Sequence, residues 1–403
     1  MVRRFGLQRL TGRENQTWMS EFILLGLSSC WETQISLFIL FLAMYLVTIL
    51  ANFLLLLLIR LDNRLNTPMY FFLSVLSFVD ICYSNSTVPQ MLVHFLSARK
   101  SIPFSSCVLQ LHASLALGGS EFFLLGAMAY DRYVAVCHPL HYTGIMHGGL
   151  CLGLAAGCLV AGFVNSLMET IITFRLPLCH NVINHFTCET LAVIRLACVD
   201  ISFNMLMVAI SGFLVIVLPC SLVLFSYGHI VAAILRIRST QGRSKAFGTC
   251  ASHLTVVCMC FGATLFTYLG PRSAFSVEEE KIVALFYAVV APMLNPLIYS
   301  LRNKDVIAAF WKVLEKFRAS VKTFFPIPPH QSLRSQDDDS CTPISMERKV
   351  VAGEGYISWK EELPEVWVDD GPGKSGIFFG TGSVTWGVVV VKDSGGYYTE
   401  SGL

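Results

Sequence analysis

Long runs of apolar residues recur along the chain between residues 35 and 300. An α-helix rises 1.5 Å per residue, so about 20 mostly apolar residues cross the hydrocarbon core of a bilayer. Seven runs reach that length, and the loops between them are short except for residues 171–201. The runs are Ile35–Ile59, Met69–Leu92, Cys107–Val136, Gly149–Thr170, Phe203–Leu235, Phe247–Leu269 and Ile282–Leu301. The pattern predicts an all-α membrane protein, a bundle of seven transmembrane helices.

The segments around these runs predict a division into four parts. Residues 1–34 form an N-terminal segment, and residues 35–301 form the transmembrane domain. Residues 302–320 carry apolar side chains at helical spacing between basic ones, which is typical of an amphipathic helix on a membrane surface. Residues 321–403 contain 12 acidic and 7 basic residues with many Gly and Pro, and they predict a disordered acidic tail whose deletion leaves signalling intact.

Basic residues next to the spans predict the orientation of the bundle. Lys and Arg resist translocation, so they accumulate on the cytoplasmic side. Residues 15–34 contain neither, whereas Arg60 and Arg64 follow the first span, and residues 236–245 and 302–318 are basic. The N-terminus is therefore predicted outside and the C-terminus in the cytoplasm, with the first span as the insertion signal.

Composition agrees with a membrane protein and excludes several soluble classes. Hydrophobic residues make up 54% of the chain and charged residues 14%, against roughly 25% charged in soluble domains. The net charge of +2 excludes a basic nucleic-acid binder and an acidic solvating chain for the whole molecule. No phosphate loop, H-E-x-x-H or G-x-S-x-G motif occurs, which predicts that the protein is not an enzyme.

Two acids lie inside predicted spans, Asp80 in the second and Glu121 in the third. A charge at the bilayer centre costs about 2.5–3.5 kcal/mol on insertion scales. Two carboxylates facing the bundle interior either share a proton or bind a cation. The residues alone leave a cation site and a protonated, hydrogen-bonded packing role equally open.

Two short motifs lie at span ends predicted to be cytoplasmic. Asp131-Arg132-Tyr133 closes the third span, where Arg132 can pair with Asp131 and also face a partner. Asn295-Pro296 interrupts the seventh span, because proline removes one backbone hydrogen bond. Asn295 and nearby waters can satisfy the freed carbonyl, and such a break is a plausible hinge.

Four cysteines flank or occupy the long loop after the fourth span, on the side predicted to be oxidising: Cys107, Cys179, Cys188 and Cys198. An even set there favours two disulfides over a zinc site built with His180 and His185. Spacing alone does not fix which cysteines pair.

Two smaller patterns carry predictions about modification and packing. Asn15-Gln16-Thr17 fits the acceptor pattern for N-glycosylation in a segment predicted outside. Gly153 and Gly157 stand four residues apart in the fourth span, a spacing that permits close helix approach and is predicted to serve packing within the bundle.

Four longer motifs identify a resemblance. They are Leu65–Ser74 (LNTPMYFFLS), Met128–Tyr142 (MAYDRYVAVCHPLHY), Lys245–Leu254 (KAFGTCASHL) and Pro292–Asn303 (PMLNPLIYSLRN). Taken in this order, they closely resemble the vertebrate olfactory receptors, a branch of the rhodopsin-like G-protein-coupled receptors. The resemblance covers about residues 15–320. One departure is Phe261, where the family often has tyrosine, so a hydroxyl is missing there.

The resemblance implies a function and a set of partners. Such a receptor binds small organic odorants within the helix bundle and activates a heterotrimeric stimulatory olfactory G protein, which raises cyclic AMP. It is a multi-pass protein of the plasma membrane in contact with lipids, located in the cilia of olfactory sensory neurons, and it has no nucleic-acid partner.

The resemblance also implies roles for individual residues. Disulfides join Cys107 to Cys188 and Cys179 to Cys198. Asp80 and Glu121 form a site for a sodium ion, the single cofactor implied, and no other metal site is predicted. The odorant is predicted to contact Ser114, Leu115, Gly118, Ser211, Phe261 and Tyr268. Activation and G-protein coupling are assigned to Asp131, Arg132, Tyr133, Tyr227, Asn295, Pro296 and Tyr299, with Tyr227 and Tyr299 contacting Arg132 in the active state.

Three other classes are considered beside the odorant receptor. A receptor of the same architecture for a non-odorant small molecule is the first, because fold does not fix ligand. A small-solute transporter would use Asp80 and Glu121 along its path, but the chain lacks the internal repeat of many transporters. A membrane enzyme ranks last, since no nucleophile and base pair stands out in the spans.

Overall fold

A computed structural model describes residues 20–269, 277–301, 303–324, 390–393 and 396–399. Long helices dominate these residues, and we number them in chain order. They are α1 (Trp31–Leu61), α2 (Pro68–Leu96), α3 (Phe104–Cys137), α4 (Gly148–Phe174), α5 (Ser202–Leu235), α6 (Thr240–Leu269), α7 (Glu278–Leu301) and α8 (Lys304–Phe324). The predicted all-α fold is confirmed.

Six of the helices, α1 to α5 and α7, are long and apolar enough to cross a membrane. Helix α6 contributes a shorter apolar segment, Cys250–Thr264, within the part of the chain that the structure describes. Many large apolar side chains on these helices remain exposed in the isolated chain, among them Leu50 and Leu224, each with 68% of its surface accessible. A lipid environment covers such side chains, so the protein is a multi-pass membrane protein.

Two helices contain a wide turn, and each wide turn precedes a proline. In α5 the π-helical turn Phe213–Val217 comes just before Pro219, and in α7 the turn Phe286–Val290 comes just before Pro292. Proline has no N–H to donate to the carbonyl four residues back, and the π turn rearranges the local bonding. The bundle therefore has a local irregularity in the first half of both helices.

A small sheet covers one end of the bundle, which we call the sheet end. Its strands are β1 (Glu21–Leu24), β2 (Ser101–Pro103) and β3 (Val182–Ile183), in the order β2-β1-β3. Strand β1 pairs antiparallel with β2 and parallel with β3. Phe22, Ile102 and Ile183 bury their side chains beneath this sheet together with Cys107 and Cys188.

Helix α3 lies at the centre of the bundle and packs against α2, α4, α5 and α6. The closest approach to α4 occurs at Gly162, where an added Cβ would lie 2.3 Å from Ser120 Oγ and 2.6 Å from the Ala116 carbonyl oxygen. The sequence prediction that Gly153 and Gly157 serve packing within the bundle is wrong. Both are exposed, and no atom lies within 4 Å of a Cβ built on either.

Helix α8 packs one side against the end of the bundle opposite the sheet. Val306 and Ala309 are buried, whereas Phe310 and Trp311 on the other side are exposed. Lys312 Nζ lies 3.2 Å from Asp62 Oδ2, which ties α8 to the turn between α1 and α2. The hydrogen bond from the Arg64 backbone N–H, followed by the contact with Lys312 and the charges of Lys312 and Arg64, lowers the pKa of Asp62 below its usual value.

The C-terminal part of the chain forms a separate unit, residues 330–403. Within it the structure describes an antiparallel hairpin of β4 (Val390–Asp393) and β5 (Gly396–Thr399). The rest of the segment that the sequence predicts to be a disordered tail, beyond Phe324, lies outside the described residues, and the four-part division stays a prediction.

Candidate functional site

A cavity opens inside the bundle beneath the sheet end. It encloses about 960 Å³, including space open to solvent, and is lined by α2 to α7 and by residues 185–190 of the long loop. Small-molecule sites are typically concave and mostly apolar, with a few polar groups that fix the orientation of the ligand. Apolar side chains such as Leu111, Phe122, Val215 and Ile216 form much of the wall. The shape and chemistry suit a small ligand with an apolar body.

Four of the six residues predicted to contact a ligand line this cavity: Ser114, Leu115, Gly118 and Ser211. For Phe261 the structure corrects the prediction. Phe261 is 2% exposed and packs edge-to-face on Phe122, with ring centroids 5.1 Å apart. It therefore supports a wall residue rather than forming the wall itself. The side chain of Tyr268 lies outside the described residues.

The hydroxyl groups of the two predicted serines both donate hydrogen bonds within the protein. Ser114 Oγ donates to the Leu111 carbonyl at 3.1 Å. Ser211 Oγ donates to Glu169 Oε2 at 2.8 Å and accepts from Asn165 Nδ2 at 2.8 Å. Each serine can thus offer a ligand an acceptor more readily than a donor.

Sequence reasoning missed the polar wall of the cavity, which contains Glu169, Glu189 and His185. Glu169 stands near the end of α4 within an apolar run, and an acid inside a span was the available signal. Glu189 and His185 belong to the loop, and no periodicity places loop residues against a cavity. Only the tertiary fold brings them together.

Below the cavity Asp80, Glu121 and Asn295 meet in the centre of the bundle. Asn295 Nδ2 lies 3.2 Å from both Asp80 carboxylate oxygens and 2.9 Å from Glu121 Oε1. Asp80 and Asn295 are each 1% exposed, and Glu121 is 6% exposed. Asn295 Oδ1 is buried without a hydrogen-bond partner. Two carboxylates and an unpartnered carbonyl oxygen are the oxygen ligands that hard cations prefer.

The proline break in α7 is satisfied differently from the sequence prediction. The N–H missing at Pro296 frees the carbonyl of Pro292, and Asn52 Nδ2 of α1 donates to that oxygen at 3.1 Å. Asn295, which we expected to fill this role, instead bonds the two acids. Pro296 is buried in α7, and the hydrogen bond from Asn52 connects the break to α1.

At the bundle end opposite the sheet, Asp131 and Arg132 do not form an ion pair with each other. Asp131 Oδ1 accepts from the Tyr142 hydroxyl at 2.8 Å, and Arg132 Nη2 contacts the sulfur of Met69. The Tyr133 hydroxyl lies 3.2 Å from His138 Nε2. The described ion pairs include neither Asp131 nor Arg132.

The two tyrosines predicted to contact Arg132 have other surroundings in this structure. The Tyr227 hydroxyl lies 2.8 Å from His253 Nδ1 on α6, and His253 Nε2 lies 3.2 Å from the Leu125 carbonyl of α3. The Tyr299 hydroxyl is buried without a hydrogen-bond partner. His253, which sequence reasoning did not single out, therefore links α3, α5 and α6 in the core.

Both disulfides implied by the resemblance are formed, Cys107 with Cys188 and Cys179 with Cys198. The first anchors the long loop to the start of α3, and the second closes a shorter loop within it. These disulfides use all four cysteines, so none of their thiols is left for the alternative zinc site. Among the described residues, no group of three or more His, Cys, Asp and Glu side chains is arranged to hold a metal. Asn15, the predicted glycosylation site, lies outside the described residues.

His185 gives the loop a dependence on pH. Burial lowers the pKa of His185 to about 4, below about 6.5 for an unfolded chain. The unfolded state therefore binds more protons between these values, so this contribution to stability is complete above about pH 6.5 and is lost as the pH falls toward 4.

We expect acidification from about pH 7.5 to 4.5 to lower the stability of the purified protein by up to about 3 kcal/mol through His185. Thermal unfolding across this range measures the effect. Burial also raises the pKa of Glu189, which acts in the opposite direction. The difference between the wild type and His185→Gln isolates the histidine, and equal pH slopes in the two proteins would contradict the assignment.

These features define a multi-pass bundle of seven long helices with a largely apolar cavity under the sheet end and a cluster of polar side chains at the other end. The family profile described as "Olfactory receptor" matches residues 41–316. The chain belongs to the olfactory receptor family, whose members are receptors and not enzymes. The fold of that family is a bundle of seven transmembrane helices, here α1 to α7.

Individual relatives agree with the family match. Olfactory receptor-like protein OLF3 of Canis lupus familiaris is 60% identical over 304 residues, which cover 75% of this chain and 96% of the relative. Olfactory receptor 2F1 of Homo sapiens is 59% identical over 307 residues, covering 76% and 97% of the two chains. Olfactory receptor 2F2 of Homo sapiens is 60% identical over 305 residues, covering 75% and 96%.

Proposed function

We propose that the protein is an odorant receptor, which binds small organic molecules in the cavity beneath the sheet end and couples this binding to a stimulatory olfactory G protein. The cavity of about 960 Å³ within the bundle carries the proposal. Its largely apolar wall, with a few polar groups on one side, supports selection of ligands mainly by shape.

Ligand binding acts by shifting a population. An odorant that binds better to an arrangement in which α6 has moved outward favours that arrangement by its difference in affinity. In the arrangement described here, His253 holds α6 to Tyr227 of α5 and to the Leu125 carbonyl of α3. Outward movement of α6 breaks these bonds and frees the Tyr227 hydroxyl for Arg132.

Tyr299 supports the same mechanism from α7. Its hydroxyl is buried without a partner, and an unsatisfied buried hydroxyl costs about 1–3 kcal/mol. A contact with Arg132 in the active arrangement removes that cost. Arg132, whose head group now contacts Met69, is then able to face the G protein. Asp131 and Tyr133 act as positioning residues through Tyr142 and His138.

We expect Arg132→Ala to abolish the cyclic AMP response of cells to an activating odorant while surface abundance stays near wild type. A cyclic AMP reporter and an odorant panel measure the response. The matched control is Arg60→Ala, which removes one arginine from α1 at the same end of the bundle as Arg132. An odorant response that survived Arg132→Ala intact would overturn the role of Arg132.

A sodium ion is proposed at Asp80 and Glu121, with Asn295 Oδ1 as a third oxygen. The ion would offset one of the two negative charges of the ionised carboxylates and favour the arrangement in which α2, α3 and α7 are close together. The geometry of the three side chains and the unpartnered amide oxygen support this assignment.

The remaining assignments follow from the same reading. The sheet end, with the N-terminus, faces outward, and α8 lies on the cytoplasmic membrane surface, where the exposed Phe310 and Trp311 contact lipid. We propose the plasma membrane of olfactory cilia as the location of the receptor.

Helix α8 extends to Phe324, so a deletion of the tail that preserves this helix begins at residue 325. We propose that this deletion leaves signalling intact.

A further inference from the structure

Glu169 of α4 places a carboxyl group in the wall of the cavity. The residue is 7% exposed and lines the cavity. Its Oε2 accepts a hydrogen bond from Ser211, which is itself held by Asn165. Ser211 is a neutral donor, and none of the ion pairs among the described residues involves Glu169. The carboxyl group is therefore oriented by the protein and has no basic partner among the described residues.

Among the described residues, the basic side chains that act electrostatically on His185 are Arg195 and Lys281, and both are paired elsewhere. Arg195 forms two hydrogen bonds with the Glu280 carboxylate, at 2.7 and 2.8 Å. Lys281, which is 4% exposed, lies 3.0 Å from Glu278 Oε1. His185 lines the cavity, but burial lowers its pKa to about 4, so it is neutral at physiological pH. No lining residue supplies a positive charge for Glu169.

A second acid and an unpartnered hydroxyl lie on the same side of the cavity. Glu189 lines it and interacts electrostatically with Glu169. One Glu189 oxygen accepts from the Ala192 backbone N–H at 2.9 Å at the start of a short helical turn. The Thr190 hydroxyl, also in the lining, is buried without a hydrogen-bond partner and lies beside the Glu169 carboxyl group. The lining therefore offers two carboxyl groups and a hydroxyl acceptor together with apolar residues such as Phe122 and Val215.

We propose that the cavity takes ligands with an apolar body and one protonated nitrogen, with the nitrogen bound by Glu169. The inference rests on the proposed function and narrows its ligand class to organic amines. An ammonium group donates up to three hydrogen bonds, which match the Glu169 carboxylate and the Thr190 oxygen. It also supplies the positive charge that a buried carboxylate lacks, and such charge-assisted bonds are about twice as strong as neutral ones. A carboxylic acid of the same size would meet repulsion from Glu169 and Glu189.

The test measures binding to the purified full-length chain separately from signalling. The probes are n-alkyl amines of about six to eight carbons and the alcohols and carboxylic acids of the same length, and the readout is the ligand-induced rise in thermal stability. We expect amines to stabilise the receptor more than alcohols do, and acids to have no effect. Glu169→Gln keeps the size and the acceptor for Ser211 but removes the charge. It should weaken amine binding by about 10- to 100-fold, as expected for one charge-assisted bond.

Two further variants make the outcome decisive. Glu32→Gln removes an exposed acid at the start of α1, away from the cavity, and should leave amine binding unchanged. Glu169→Asp keeps the charge and should retain a preference for amines, which shows that the site still folds. Equal binding of amines and alcohols, or amine binding unaffected by Glu169→Gln, would overturn the proposal.

A cyclic AMP reporter in cells then separates this proposal from the proposed function. Amine binding that depends on Glu169 without a cyclic AMP response would support the amine site and count against G-protein coupling. A response to alcohols or acids with no binding of amines would support the receptor function and overturn the amine site.

Discussion

Gly162→Ala is expected to destabilise the receptor by about 3 kcal/mol, at the upper end of the cost of overpacking a closely packed interior. The added methyl group would lie 2.3 Å from Ser120 Oγ, 2.6 Å from the Ala116 carbonyl oxygen and 2.8 Å from the Ser120 backbone nitrogen. Two of these three atoms belong to the backbone of α3, so a change of rotamer cannot relieve the contact. Helices α3 and α4 must separate, and thermal unfolding of the purified receptor together with its surface abundance in cells measures the result.

The matched control lies on the same helix. Gly157→Ala makes the same chemical change where no atom is within 4 Å of the new Cβ. Alanine has a higher helix propensity than glycine, so this variant should be neutral or slightly stabilised. Adding Ser120→Ala to Gly162→Ala should restore little, because the backbone contacts remain. Similar stabilities for Gly162→Ala and Gly157→Ala would show that α3 and α4 are not in close contact at Gly162.

Asn295→Leu is expected to cost at least about 3 kcal/mol, because an unsatisfied buried polar group costs about 1–3 kcal/mol and two carboxyl groups lose their amide donor here. The Asn295 amide is the described donor to both Asp80 and Glu121, which are almost completely buried. Leucine has a similar size but no donor, so the two carboxyl groups would face each other unscreened. Chemical or thermal unfolding of the full-length chain measures the loss.

Two comparisons test whether the carboxyl groups are the cause. Asn52→Leu removes another fully buried asparagine, but its amide donates only to the neutral carbonyls of Thr48 and Pro292. Its cost should be smaller, about 1–3 kcal/mol. Adding Asp80→Asn and Glu121→Gln to Asn295→Leu should recover part of the lost stability. If the triple variant is no more stable than Asn295→Leu, the loss does not arise from the two acids.

The acid pair shows how much of the buried interior can be predicted from the sequence. Acids are rare in spans, so Asp80 and Glu121 stand out by themselves, and charged groups avoid lipid, so both are expected to face inward. Their neighbour Asn295 also lies in a motif. The sequence does not tell which group bonds which, however. The prediction that Asn295 satisfies the proline break is wrong, because Asn52 of α1 donates to that carbonyl while the Asn295 amide bonds the two acids.

The cavity was predicted less completely than the acid pair. Ser114, Leu115, Gly118 and Ser211 were predicted by resemblance and do line it. Glu169, the acid that gives the cavity its charge, was not predicted. The long loop reaches the cavity because a disulfide holds Cys188 to Cys107 and strand β3 pairs with β1. Contacts between segments so distant along the chain leave no periodic signal in either.

The sequence by itself determined the spans, the fold class and the family. Each residue's transfer free energy into the bilayer adds along a helix, so hydropathy reports where the chain crosses. Only the tertiary structure decided which glycine of α4 touches α3, that Arg132 contacts Met69 and that Glu169 faces the cavity. Lipid is as apolar as the bundle interior, so hydropathy does not encode how a helix is rotated about its axis, and packing between helices settles that choice.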